Sequence, residues 1–363
     1  MQLYVWRGAT RNFGDELNDL LWPHLLPGLL DPAFGAAHPS AKQLSGNGRP
    51  DLFLGIGSVL DARHPADRRK IVAGAGFGGY EASAVLDGSW EIYWVRGPRT
   101  ACQLGLPAAF GLGDPASLLP LVHPMTRHQG RISEIDTPGE IDTPGETDAP
   151  GIGTSKIGVV GFMPHFESLT RGAWPAAAAA AGVTLIDPRG NPRTILSQIA
   201  GCRTLLSEAL HGVIVADALR VPWVALAPVA PVHRAKWLDW ADALDLTIRF
   251  QALPASSPRE YIETAFSPRR RALQVVLACA GTLAEHIDHR AVHLDRAVVA
   301  LRRAGAALPQ LSDYRALACS QERMLDRLST LRATRGRSAE GGNRTLCPSM
   351  GSNRETHQSV LRP

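Results

Sequence analysis

LLSEALHGVIVADALRVPWVAL, residues 205–226, decides the fold. Within and beside it, RTLLS (203–207) has the length of a buried strand and GVIVADALR (212–220) carries apolar residues at helical spacing. VPWVALAP (221–228) is a second apolar run. Strand, helix and strand make a βαβ unit, whose strands belong in a parallel sheet covered on both faces. Glu208 to His211 are read as the turn joining strand to helix, and in an open α/β sheet such a turn opens on the crevice where ligands bind. His211 at that helix mouth is a candidate for proton transfer, with Glu208 beside it. The plainer alternative is a helix-start histidine bonded to a carbonyl.

The same grammar extends in both directions. Upstream, KIGVVGFMPH (156–165) reads as a strand, AAAAAAGVTLID as a helix end and a strand, and TILSQIAGC as a helix. Nearer the start, LYVW (3–6), DLFLGIGS (51–58), KIVAGAG (70–76) and EIYWVRG (91–97) are apolar runs, the last three ending in or near glycine. NFGDELNDLLWPHLL begins a helix with Asp15 as N-cap, Pro98 takes a first helical position, and AFGLGDPASLL (109–119) supplies a further strand and turn. The fold class is therefore α/β, with two Rossmann-like lobes and a cleft between them.

Between the lobes, EIDTPGEIDTPGETDAPG (134–151) is a six-residue unit repeated three times. It is too polar to bury a core and reads as a solvated linker or a surface-loop expansion near a domain boundary. A long amphipathic helix is expected from Ser267 to about Ala304, and a second from Tyr314 to Leu331. The terminal helix packs on the lobes or serves a membrane surface or partner. The expected organisation is residues 1–126 as the first lobe, 127–155 as linker, 156–310 as the second lobe, 311–335 as amphipathic helix and 336–363 as disordered tail.

Composition narrows the function. At 363 residues, with 45% hydrophobic and 20% charged residues, the chain is an ordinary globular protein of two-domain length. A net charge of +4 gives no support to nucleic-acid binding but suits anionic substrates. Five scattered cysteines form neither a disulfide framework nor a zinc site, which fits reducing cytosol. No secretory signal or membrane-spanning run is read.

Several motifs point to anion and sugar chemistry. Around Gly14, Asn12 and Asp15 are placed to present polar groups to a sugar hydroxyl or to cap the helix. Arg96 and Arg99, at a strand end and on a first helical turn, fork onto a phosphate or carboxylate, or else pair with Glu91 or Asp114. Asp114 before Pro115 is a turn-former or an orienting carboxylate. Gly74, Gly76 and Gly79 match a dinucleotide-binding spacing, but no obvious helix follows, so a tight substrate-side turn is preferred. His286, His289 and His293 share a helical face crowded with charges, which reads as solvated, and no metal is expected.

NFGDELN (12–18), GIGSVL (55–60), VRGPRT (95–100), GLGDPASLL (111–119) and SEALHGVIVADALRVPWVAL (207–226), in this order, resemble the polysaccharide pyruvyl transferase family, and within it the bacterial branch acting on succinoglycan-type exopolysaccharides. The resemblance spans Met1 to Pro228. It implies transfer of the carboxyethylidene group of phosphoenolpyruvate onto two hydroxyls of a sugar or lipid-linked oligosaccharide, with a cyclic ketal formed and phosphate released. It implies a two-lobed fold like that of GT-B glycosyltransferases, and no cofactor beyond the donor. The enzyme would act in the cytoplasm, in peripheral contact with the inner membrane or a synthesis complex. The family's key histidine falls on His211, as general acid or base. Many members carry an arginine two residues earlier, where this chain has Ala209. Arg96, Arg99, Arg203 or Arg220 would then supply the charge, or Glu208 would mark a different acceptor geometry. The competing readings are a nucleotide-sugar glycosyltransferase of the same architecture and a non-enzymatic assembly component docked through its C-terminal helices.

Overall fold

The computed structural model describes residues 1–31, 50–123, 125–128, 131–134, 158–227, 233–265 and 289–341. The first half builds a four-stranded parallel sheet in the order β1 (Gln2–Tyr4), β2 (Leu52–Leu54), β3 (Lys70–Ala73), β4 (Trp90–Trp94). Its runs of Leu, Ile, Val and Phe are buried on both faces, which is why they show no alternation. Helix α1 (Phe13–Leu25) follows β1, and α2 (Pro98–Gln103) follows β4 with proline in its first turn. Residues 109–119 form no further strand. Gly111 makes a single parallel bridge to Val95, then 3-10 turns carry the chain into the short α3 (Leu119–Val122), because Pro107 and Pro115 withhold the amides a ladder needs. β5 (Met125–His128) and β6 (Arg131–Glu134) form an antiparallel pair. The repeat expected as a linker lies outside the described residues beyond Glu134.

The second half is a five-stranded sheet. Besides β7 (Val159–Met163) it contains β8 (Thr184–Leu185), β9 (Cys202–Ser207), β10 (Trp223–Leu226) and β11 (Phe250–Gln251). Their order is β11-β10-β9-β7-β8, parallel throughout, so the winding reverses between β7 and β9. That reversal opens a crevice at the carboxyl ends of these two strands. Around the sheet lie α4 (Phe166–Arg171), α5 (Trp174–Ala181), α6 (Pro192–Ala200), α7 (Leu210–Ala218), α8 (Arg234–Ala243) and α9 (Pro258–Ala265).

The two halves share apolar packing. Phe13, Leu17 and Leu21 of α1 belong to one core with Leu210, Val213 and Ile214 of α7. The backbone N–H of Phe13 also donates to the Pro188 carbonyl at 2.8 Å. α10 (His289–Ala306) buries Ala297, Leu301 and Ala304 against Phe162 and Trp174; the first part of the helix expected from Ser267 falls outside the described residues. α11 (Tyr314–Gly341) runs past residue 335, the expected end of the amphipathic helix. Its apolar face, Leu317, Met324, Leu328 and Leu331, is buried. Arg335 fastens its far end to Asp51 and Glu91 of the first sheet at 2.8 and 2.7 Å. This face is thus committed to the protein's own core. No helix among the described residues is long and apolar enough to cross a membrane.

Candidate active site

α7 begins at Leu210 rather than Gly212, with Ala209 as its extended N-cap, so His211 lies within the first turn instead of in the preceding loop. The extra turn forms because Ser207 satisfies the loop: its hydroxyl accepts from the Ala209 N–H at 3.1 Å. The imidazole is thereby aimed at the mouth of α1. A Cβ on Gly14 would stand 1.9 Å from His211 Nδ1, so glycine is what lets helix and ring meet. On its other side, His211 Nε2 lies 3.5 Å from Asp114 Oδ2. The geometry is too long for a strong hydrogen bond, and neither atom has a hydrogen-bond partner among the described residues.

The Asp114 carboxylate is divided between two neighbours. One carboxylate oxygen accepts from the Ala116 N–H at 3.0 Å and shapes the turn, while the other faces His211. Burial raises its pKa, but His211, the Ala116 amide and Arg96 outweigh that and hold it below the ordinary value. Asp15 shows the reverse balance. Burial pushes it up, opposed by Asn12, His211 and Lys236. Asn12, not Asp15, is the N-cap residue of α1, and its Nδ2 donates to Asp15 Oδ2 at 2.8 Å. Behind them, Asn18 pins α1 to the loop after β2, its amide exchanging hydrogen bonds with the Ile56 N–H and carbonyl at 2.9 Å each.

Arg96 is buried on the same wall. Its guanidinium donates to Asp239 Oδ2 (3.0 Å), Ser58 Oγ (2.9 Å) and the Phe77 carbonyl (2.9 Å). Its partner is thus Asp239 of α8, neither Glu91 nor Asp114. Asp239 also accepts from the Thr100 N–H and hydroxyl, and Gly97 leaves room for that approach. Arg99 stands elsewhere: it pairs with Asp242 at 2.6 Å on an exposed surface, beside a hollow of about 470 Å³ that contains none of the site histidines. Arg203 is exposed near the opposite end of β9, and Arg220, past α7, donates to Ser312. The glycines of residues 74–79 lead into no helix; Gly76 packs directly on the Arg96 guanidinium as a cleft-side turn.

Glu208 is buried in the β7/β9 crevice. Its oxygens accept from the His165 N–H and the Ser168 hydroxyl, each at 2.9 Å. It therefore braces the loop after β7 and does not point at His211. That loop and α8 bring in residues the sequence reading missed: His165, Glu167, His233 and Lys236. The half-buried Lys236 forms no hydrogen bond or ion pair with the described residues. Burial and the Arg96 charge lower its pKa to about 8, against the pull of Asp15, Glu167 and Glu208. A histidine at the carboxyl end of a parallel strand, as in GFMPH (161–165), was the available signal for His165. Lys236 had none, because only α8's docking through Asp239 turns it inward.

Of the histidines expected on one helical face, His286 lies outside the described residues. His293 Nδ1 sits 3.4 Å from the Ala255 carbonyl, and its ring packs near Tyr261. The arrangement in the cleft therefore combines a histidine between two carboxylates, one unpaired ammonium and a buried guanidinium.

Comparison with known proteins bears on that chemistry. The family model for polysaccharide pyruvyl transferase matches residues 46–228. Succinoglycan biosynthesis protein ExoV of Rhizobium meliloti (strain 1021) is 32% identical over 353 residues, covering 92% of this chain and 99% of that protein. No solved structure matches.

Proposed function

Because the chain belongs to the polysaccharide pyruvyl transferase family, we propose that it moves the carboxyethylidene group of phosphoenolpyruvate onto two hydroxyls of a sugar in an exopolysaccharide repeat unit. The observation that carries this reading is His211, set between Asp114 and the mouth of α1 with Lys236 and Arg96 on the surrounding walls. The donor's methylene carbon takes a proton, which makes the adjacent carbon electrophilic. One hydroxyl adds there and loses its proton, the carbon–oxygen bond to phosphate then breaks, and the second hydroxyl takes the vacated position, losing its proton in turn.

His211 is the acid for the methylene and the base for one hydroxyl. Asp114 fixes its orientation and faces the charge the ring carries after taking a proton. Lys236 and Arg96 hold the donor's phosphate and carboxylate, the charge that Arg99, Arg203 and Arg220 are too remote to give. Asn12 and Asp15 hold the sugar, and Glu208 positions the His165 loop. The two parallel sheets meeting at one cleft are compatible with a GT-B-like architecture. We place the reaction in the cytoplasm, on a free or lipid-linked oligosaccharide.

The test is incubation with phosphoenolpyruvate and a glucose-terminated oligosaccharide carrying free O4 and O6 hydroxyls. Phosphate release must accompany a mass gain of one carboxyethylidene group. His211→Ala should abolish both. Thermal stabilisation by nucleoside diphosphates and not by phosphoenolpyruvate would instead favour a glycosyltransferase.

A further inference from the structure

A second ordered set of side chains lies in the cleft. Tyr80 comes from the loop after β3, His233 immediately precedes α8, and Glu167 lies on the first turn of α4. The Tyr80 hydroxyl stands 2.8 Å from His233 Nδ1, and His233 Nε2 stands 3.1 Å from Glu167 Oε2. One proton arrangement satisfies both contacts. The hydrogen bond from His233 holds Glu167 ionised, so Nε2 carries the hydrogen and donates it. Nδ1 then has a free lone pair and accepts the phenolic hydrogen. Hydroxyl, imidazole and carboxylate thus stand in the order used for base-activated hydroxyl groups. Tyr80 is 45% exposed as a residue and His233 only 7%, so the tyrosine is the member of the set that a ligand reaches first, although its hydroxyl is turned in toward His233.

The surroundings keep the imidazole neutral and ready to accept. The groups facing it are Tyr80, Glu167, His165, Lys236 and Arg171. Burial lowers its pKa, with Lys236 and Arg171 adding to the effect and Glu167 opposing it. His165 stacks on the ring, centroids 4.2 Å apart and planes 29° from parallel. The phenol is pushed up to about 12, chiefly by burial, so near neutrality it must hand on its hydrogen as it takes another. His165, Glu167 and His233 also have ligand atoms within 4.8 Å of one another. However, the lone pairs of stacked rings lie in planes set one above the other, a poor arrangement for converging on one ion, and Lys236 and Arg171 add repulsion.

We propose that Tyr80, His233 and Glu167 form a second proton-transfer centre, with Tyr80 as the group that contacts the acceptor hydroxyl and the departing phosphate. The proposal rests on the phosphoenolpyruvate reading above. Ketal formation divides into two matched proton exchanges. His211 gives a proton to the methylene carbon and regains one from a hydroxyl. At the second centre, the other hydroxyl's O–H bond breaks toward the Tyr80 oxygen while the phenolic proton passes to His233 Nδ1. The resulting imidazolium faces Glu167. That proton returns through Tyr80 to a phosphate oxygen as the carbon–oxygen bond to phosphate breaks, leaving both centres as they began.

The experiment measures kcat/KM against pH for the wild type, Tyr80→Phe and Glu167→Gln, using phosphoenolpyruvate and the oligosaccharide named above, with Tm recorded for each. Tyr80→Phe should lose on the order of 10²-fold or more in kcat/KM with little change in Tm. Glu167→Gln should lower the plateau and move the acid limb to lower pH, because His233 without its carboxylate is a weaker base. A purely structural role would leave that limb in place. Wild-type turnover in Tyr80→Phe, or an unmoved limb in Glu167→Gln, overturns the relay and leaves the donor reading standing. A wild-type protein that forms no ketal overturns both. Should Tyr80→Phe fail to fold, the limb position in Glu167→Gln decides alone.

Discussion

His211 Nε2 and Asp114 Oδ2 face each other at 3.5 Å from opposite halves of the molecule, each lacking any other hydrogen-bond partner among the described residues. Two buried polar atoms left in this state cost the fold stability. The pair is where the two sheets jointly make something neither contains.

Asp114→Asn removes the charge that steadies an imidazolium while keeping the turn's shape. Turnover should fall on the order of 10²- to 10⁴-fold, as for loss of an acid–base contribution. The variant should also change acid unfolding. The folded Asp114 pKa is depressed, so its stabilising contribution is present above the unfolded value and is lost as pH falls through the folded one. Denaturant titrations from about pH 5 downward should therefore show a shallower decline in the variant.

Gly14→Ala tests the meeting of α1 and His211. The added methyl would lie 1.9 Å from Nδ1, so the ring must swing aside. Displacement of about 1 Å at a catalytic group costs on the order of 10²-fold. Alanine is also the better helix former, by about 1 kcal/mol, so Tm should hold while kcat collapses.

Lys236→Met separates stability from function. Lys236 is held below its ordinary pKa, at about 8, so below that pH its charge is carried at a cost to the fold. The unfolded chain binds the extra proton between about pH 8 and 10.5, so wild-type stability rises with pH through that window. The variant should melt higher at pH 7, and its advantage should shrink above pH 8. Phosphoenolpyruvate binding, read by calorimetry, should weaken in the same protein.

Asp239→Ala leaves Arg96 buried with the carboxylate it is paired to gone. Breaking a buried pair in this way costs about 3–5 kcal/mol. Urea unfolding should show that loss, and activity should fall with it because α8 carries Lys236 and follows His233.

How far the sequence disclosed this site depends on where each residue sits. The strands were legible because Leu52–Leu54, Lys70–Ala73 and Trp223–Leu226 are short apolar runs that only a covered parallel sheet accommodates. His211, Asp114 and Arg96 follow from strand and helix ends, and all three lie in the cleft. Arg99 obeys the same local rule yet faces outward, since helix phase, one residue in three or four, was not fixed by a six-residue helix. Glu208 carried the right neighbours in sequence, but its backbone turn aims it across to β7. Tyr80, His233 and Lys236 depend on contacts more than a hundred residues apart, and no local pattern encodes them.

The packing of α1 on α7 has a consequence for recombination. The interval between the Asn12–Asp15 loop and His211 is set by apolar side chains from both halves of the chain, Phe13 and Leu17 against Leu210 and Val213. Exchanging one half with that of a relative would therefore change the spacing between His211 and the start of α1 even if all of these residues were retained. Acceptor preference in such chimaeras should follow the α1–α7 pairing as a unit, and grafts that split it should fold poorly or turn over slowly. New sugar specificity would have to be sought in the loops above that seam, with the seam itself inherited whole.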